Sequence, residues 1–201
     1  MLVNANKFLL TPIILLDNRS MEYDFCMQVI QKAKGYCMEF GVWEGKSINH
    51  MAKKRNDLIF YGFDSFEGLP EKWDMGNKVE DKGHFKVDKI PEVEKNVILI
   101  KGWFDKTIKD WKIKHKNPIQ FINIDSDLYS SAKTILFELN DQIIKDTLIR
   151  FDDLLPSPIA PYPKWQEGEW KALCEWCEKY DREVIPLARS WKQGCTIIVK
   201  K

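Results

Sequence analysis

Four aspartates close two short apolar runs: Asp125 and Asp127 follow residues 119–124, and Asp152 and Asp153 follow residues 147–151. If those runs are neighbouring parallel strands, the four carboxylates meet at one edge of a sheet. Carboxylates gathered in one place repel unless a proton or a cation neutralises them. A small site built from such hard oxygen donors suits Mg²⁺, Mn²⁺ or Ca²⁺. Any one of these aspartates alone would read as a strand-end cap facing water. Three or more at adjacent strand ends favour a metal.

Two further constellations could hold a nucleotide-like cofactor. The run Glu39-Phe40-Gly41-Val42-Trp43-Glu44-Gly45-Lys46-Ser47 joins a predicted strand to a predicted helix, with glycines that allow a tight turn and a close backbone approach. The Gly41–Gly45 spacing lacks the middle glycine of the dinucleotide fingerprint, which argues against NAD. Further on, Asp64 ends the next strand and opens Asp64-Ser65-Phe66-Glu67-Gly68-Leu69-Pro70. An acidic residue there is placed to accept hydrogen bonds from both ribose hydroxyls.

The elements that must position these residues alternate along the chain. Strand-like runs at 36–40, 58–63, 97–100, 119–124 and 147–151 are separated by helical stripes. Ser20 is suited to cap a helix carrying Cys26, Val29, Ile30 and Ala33, ending at Gly35. Tyr129, Ala132, Ile135, Leu136, Leu139 and Ile143 form a second stripe, and Trp170, Leu173, Cys174 and Cys177 another. Residues 184–187 and 196–199 read as a closing hairpin turned through Trp191 and Gly194. The sum is an α/β fold: a mostly parallel seven-stranded sheet with a C-terminal antiparallel hairpin and helices on both faces. Residues 1–201 form one domain, with a helical segment at 1–35. A charged segment at 67–95 and a proline-rich one at 156–163, including Pro158, follow strand ends and should flank a ligand site at the carboxyl edge of the sheet.

Bulk composition narrows the partners. A net charge of +1 over 201 residues, without a basic stripe, gives no reason to expect nucleic acid. The apolar run 8–16 is broken by Pro12, is far short of the ~20 residues of a membrane helix, and has no basic leader. No membrane insertion is expected. Five cysteines, an odd count without a framework, fit a reducing, cytoplasmic compartment. Cys174 and Cys177 lie within a helical stripe and read as core. Trp73, Trp103 and Trp165 fall near the expected pocket, Trp43 is expected beneath the cofactor turn, and Trp111, Trp170 and Trp176 read as packing residues.

Taken in order, Glu39-Phe40-Gly41-Val42-Trp43, Tyr61-Gly62-Phe63-Asp64-Ser65-Phe66-Glu67-Gly68-Leu69-Pro70, Gly102-Trp103-Phe104, Ile124-Asp125-Ser126-Asp127-Leu128-Tyr129 and Phe151-Asp152-Asp153 resemble the macrocin-type sugar O-methyltransferases over roughly residues 36–153. The resemblance implies a Rossmann-like class I methyltransferase fold, S-adenosylmethionine as cofactor and a bound Mg²⁺. Carried over by position, Glu39, Gly41, Gly45 and Ser47 would hold the methionine part of the cofactor. Asp64, with Ser65 and Phe66, would hold its ribose, and Gly102 and Trp103 would lie near the adenine. Asp125, Asp152 and Asp153 would be the metal ligands, and Asp125 also a cofactor contact and the general base. Asp127 and Tyr129 would orient the loop, and His84 falls where relatives carry a candidate base. The implied reaction moves a methyl group to a sugar hydroxyl of a small-molecule or glycan acceptor, and a homo-oligomer is compatible with it. The residues also leave open a non-sugar acceptor on the same fold, and a non-catalytic partner that keeps cofactor binding.

Overall fold

The computed structural model describes residues 8, 11, 13–30, 35–157, 159–190 and 193–201; Pro12, Ala33, Pro158 and Trp191 lie outside them. Strands β2 (Tyr36–Phe40), β3 (Phe60–Asp64), β6 (Val97–Lys101), β7 (Ile119–Ile124) and β8 (Ile143–Phe151) run parallel. β9 (Val184–Ser190) and β10 (Cys195–Val199) form the closing hairpin, with β10 antiparallel to both β8 and β9. A short β1 (Ile14–Leu16) pairs parallel with the outer side of β9, so the order is β1-β9-β10-β8-β7-β2-β3-β6 and the sheet has eight strands, not seven. The extra strand comes from a stretch expected to be helical. Its three residues are too few to show a period, and only pairing with β9 makes them a strand.

Alternation along the central strands divides the core. Met38, Phe40, Ile122, Ile124, Ile149 and Phe151 pack on one face, beneath α3 (Phe104–Lys114), α4 (Tyr129–Glu138) and α5 (Glu169–Tyr180). Cys37, Phe60, Phe121 and Leu148 pack on the other, beneath α1 (Arg19–Val29) and α2 (Lys46–Lys54). Both faces are covered, as parallel strands require.

Three boundaries differ from the periodic reading. The cap of α1 is Asn18, whose Oδ1 accepts the Met21 N–H at 3.0 Å, and Ser20 lies inside the helix. The same helix ends at Val29, well short of Gly35. Ile143 opens β8 instead of closing α4. The chain turns after Leu139, and β8 contains a register irregularity opposite β7, with Asp146 at φ 69°. The Thr147 hydroxyl donates to Ile119 O at 2.7 Å and accepts the Ile144 N–H at 3.1 Å, which stitches this bulge to the sheet.

The segments after β3 and β8 dock on each other. A small hairpin, β4 (Trp73–Asp74) with β5 (Val79–Glu80), projects from the 67–95 segment. Trp73 Nε1 donates to Tyr162 Oη at 3.2 Å, Asn77 Nδ2 to Pro161 O at 3.0 Å, and Lys164 Nζ to Asp74 Oδ2 at 2.6 Å. Leu69, Trp73, Met75, Leu128 and Tyr162 form a small apolar cluster under this junction. Among the described residues no helix is long and apolar enough to cross a membrane.

Candidate active site

The strand order reverses between β2 and β7, and a cavity of about 780 Å³ opens at the carboxyl ends of these strands. Crevices at such reversals are where open α/β sheets bind ligands. Gly41, Ser47, Asp64, Ser65, Trp103, Asp125, Asp127, Asp152 and Asp153 all line it. Glu39, Gly45, Phe66, Gly102 and His84 do not.

The turn after β2 is fixed from below. Gly41 has φ 91°, and a Cβ there would stand 1.7 Å from Asp125 O, so only glycine lets the β2 and β7 ends approach this closely. Asp64 Oδ2 accepts the N–H groups of Val42 and Trp43, both at 2.8 Å, while Oδ1 accepts the Phe66 N–H at 2.7 Å. A carboxylate offers about four acceptor sites. Three are used in holding the loops, which leaves about one free. Phe66 and Gly102 contribute through backbone amides: Gly102 N–H donates to Asp64 O at 2.9 Å. Gly45 heads α2 at φ 77°.

Glu39 lies fully buried under the cavity floor. Its Oε1 accepts the Ser47 hydroxyl at 2.5 Å and the Asn123 amide at 2.8 Å, and its Oε2 has no hydrogen-bond partner. Burial pushes its carboxyl up to about 7, with the Ser47 and Asn123 hydrogen bonds working the other way. An orphaned acceptor beneath a cavity is the kind of atom that a cofactor's donor group satisfies.

Glu39 also begins a row that sequence reasoning missed. Glu39, Asn123, Arg150 and Thr196 stand at matching register on β2, β7, β8 and β10. Arg150 Nη1 donates to Asn123 Oδ1 at 2.9 Å, and its Nε pairs with Glu22 Oε2 of α1 at 3.2 Å. Thr196 Oγ1 donates to Glu22 Oε1 at 2.9 Å, and the Tyr23 ring lies 4.5 Å from the guanidinium. Arg150 Nη2 then reaches Asp152 Oδ1 at 2.7 Å. A lone arginine inside an apolar strand was the available signal, since such a residue must find buried partners.

The carboxylates at the strand ends sort unequally. Asp125, Asp127 and Asp153 converge, with one oxygen of each within 4.8 Å of the others. Asp152 is not in that group: Arg150 holds one of its oxygens and Arg19 the other. The converging trio Asp125, Asp127 and Asp153 therefore differs from the expected ligand set Asp125, Asp152 and Asp153. Two arginines on Asp152 were not visible in the spacing of the aspartates. The carboxyl groups of Asp127 and Asp153 share a hydrogen bond, and burial followed by the Asp152 charge raises Asp127 to about 7. Burial and the Asp152 charge raise Asp125 and Asp153 well above the usual carboxylate range. Glu169, a fourth and unanticipated carboxylate, accepts the Asp153 N–H at 3.0 Å through Oε2, while its buried Oε1 has no hydrogen-bond partner. Carboxyls this close, at least half-buried and short of donors, fit a hard divalent cation.

His84 stands apart. It lines a neighbouring hollow with Phe85, Lys86 and Lys89, and its Nδ1 lies 3.3 Å from Glu80 Oε2. The structure places His84, expected as a base, outside the cavity that Asp125 lines. Trp43 is not beneath the turn: it is exposed, at φ 46°, and its ring meets Phe85 edge-on at 5.4 Å on the cavity wall. Trp73 and Trp103 also line the cavity, whereas Trp165 packs against Trp170. Cys177 is buried and Cys174 half-buried in the core, and all five cysteines are free.

A family model described as a methyltransferase domain matches residues 38–154. No curated protein matches the chain by sequence. Among solved structures, the fold is similar to that of the calicheamicin methyltransferase CalS11, at 20% identity over 89% of this chain and 77% of that one, with a TM-score of 0.66. It is also similar to the O-methyltransferase NovP, at 19% identity over 91% and 80%, with a TM-score of 0.63. An O-methyltransferase from Bacillus cereus in complex with SAH shares 13% identity over 92% and 83%, with a TM-score of 0.57.

Proposed function

The chain belongs to the methyltransferase-domain family and is an S-adenosylmethionine-dependent methyltransferase; on that premise we propose that it is a macrocin-type enzyme that methylates a sugar hydroxyl with the help of a divalent cation. The observation that carries the reading is the convergence of Asp125, Asp127 and Asp153 on the wall of the same cavity that Gly41, Ser47 and Asp64 line. A cofactor held over the glycine turn would face an acidic cation site across that cavity. CalS11, described as a TDP-rhamnose 3'-O-methyltransferase, supports a sugar acceptor by likeness of fold.

Each residue then has a stated task. Glu39 Oε2 and the Gly41 turn bind the methionine end of the cofactor, and Asp64 takes one ribose hydroxyl. When bound, the cofactor supplies an electrophilic methyl group and the cation acidifies the acceptor oxygen. Asp125 accepts the hydroxyl proton as the methyl–oxygen bond forms and the methyl–sulfur bond breaks. Trp43, Trp73, Phe85 and Trp103 provide flat apolar walls for the acceptor ring and exclude water. The acceptor is a small molecule or glycan. With every cysteine free, a reducing cytoplasmic setting fits the chain.

Thermal unfolding with S-adenosylhomocysteine and Mg²⁺ tests both halves of the reading. A ligand at 100 times its dissociation constant adds ~2.7 kcal/mol of stability, so each should raise the midpoint, and EDTA should reverse the second rise. Labelled methyl transfer to sugar acceptors then tests the chemistry. Asp125→Asn should lower turnover by roughly 10²–10⁴-fold while keeping the S-adenosylhomocysteine shift. Transfer to catechols but to no sugar would overturn the acceptor assignment.

A further inference from the structure

The acidic site already has a positive charge seated on it. Arg19, the first residue of α1, hydrogen-bonds Asp152 Oδ2 through Nη2, and its Nη1 stands 3.9 Å from Asp125 Oδ2. Its side chain is 43% exposed and lines the cavity. Arg150 approaches Asp152 from the opposite side but is fully buried and held by Glu22 and Asn123, so it is a fixed part of the core. Arg19 is different. It hangs from the first turn of a helix, reaches solvent, and extends toward an aspartate of the converging trio.

A guanidinium in that place shares its sign and its carboxylate partners with a divalent cation. Two like charges within ~4 Å of the same carboxylate repel each other, so the two cannot be independent. We propose that Arg19 is an in-chain counter-cation that competes with the divalent cation for the Asp125 edge of the site, and so sets how tightly that cation is held. Both arginines neutralise Asp152, which becomes a positioning residue; Asp125 is the carboxylate over which Arg19 and the cation compete. The proposal rests on the cation half of the function proposed above.

The test is titration of the full-length chain with Mn²⁺ alone, read by the electron paramagnetic resonance of the free ion. Wild type, Arg19→Met and Arg19→Lys are compared, with the S-adenosylhomocysteine-induced rise in melting temperature as a check on each fold. Arg19→Met should bind Mn²⁺ at least about tenfold more tightly than wild type, and Arg19→Lys, which keeps the charge, should stay within about threefold of it. Binding by Arg19→Met but not by wild type would support the proposal in its strongest form. Equal or weaker binding by Arg19→Met, beside measurable wild-type binding, would overturn the proposal and leave the cation site standing. No binding by either, with the S-adenosylhomocysteine response intact, would remove the cation site and this inference together. Arg19→Gln repeats the comparison if Arg19→Met does not fold.

Discussion

Two polar regions lie side by side in this protein, sharing Asp152 as their border, and they are built on opposite terms. In the row from Glu39 through Asn123 and Arg150 to Glu22 and Thr196, two acids flank one arginine with neutral amide and hydroxyl groups between and beside them, and the groups interlock across four strands and a helix. A few ångströms away, Asp125, Asp127, Asp153 and Glu169 face one another, with Arg19 reaching only the Asp125 side. The row meets most of its burial cost internally, through hydrogen bonds and the Arg150–Glu22 and Arg150–Asp152 ion pairs. The cluster leaves its cost open, to be met by something from outside the chain. Matched buried charge of the first kind gives a scaffold its definition, whereas unmatched charge at a cavity marks where ligand chemistry is done.

Replacing Arg150 by Met attacks the matched region. Glu22 and Asp152 would be left as buried charges missing a partner, so stability should fall by about 3–5 kcal/mol, read from the urea midpoint. A loss below about 1 kcal/mol would mean that the row is not a linked unit.

Glu39 tests the end of the row that lies under the cavity. Its carboxyl is raised from an ordinary 4.5 to about 7 by burial, so the folded chain holds a proton that the unfolded chain has released. Its contribution is therefore fully present below about 4.5 and is lost as pH rises toward and through about 7. At about 1.4 kcal/mol per pKa unit, the loss is at most about 3.5 kcal/mol. Unfolding midpoints across this window should decline less in Glu39→Gln than in wild type, and identical slopes would show that Glu39 does not titrate there.

Asp153→Asn inverts the expectation for a buried polar change. Removing one of several crowded carboxylates in the presence of EDTA should raise stability slightly, by about 1 kcal/mol, while the Mn²⁺-dependent gain disappears. A clear loss in EDTA would show that the cluster is internally matched after all, and the contrast between the two regions would fail.

The alternation of β2, β3, β6, β7 and β8 with helices was legible because each strand's period and each strand-end aspartate are local features. For the same reason the Gly41 turn, Asp64 and Asp125 could be assigned to one edge of the sheet from their positions alone. β1 was not legible, because three residues acquire strand character only by pairing with β9. Arg19 and Glu22 were not legible either, since they arrive from a helix far along the chain, and Glu169 was not, because its approach to Asp153 depends on how its helix packs back on the sheet.

Sequence by itself determined the alternation of strands and helices and set Asp64, Asp125, Asp127, Asp152 and Asp153 at strand ends, because strand periodicity and strand-end chemistry are written in contiguous residues. Which carboxylates converge and which one is neutralised was decided only by the tertiary structure. Register places Arg150 level with Asn123 on the neighbouring strand, and the docking of α1 brings Arg19 onto Asp152. Partnership between charges is set by distance in space, and 133 residues of chain separate Arg19 from the aspartate it holds.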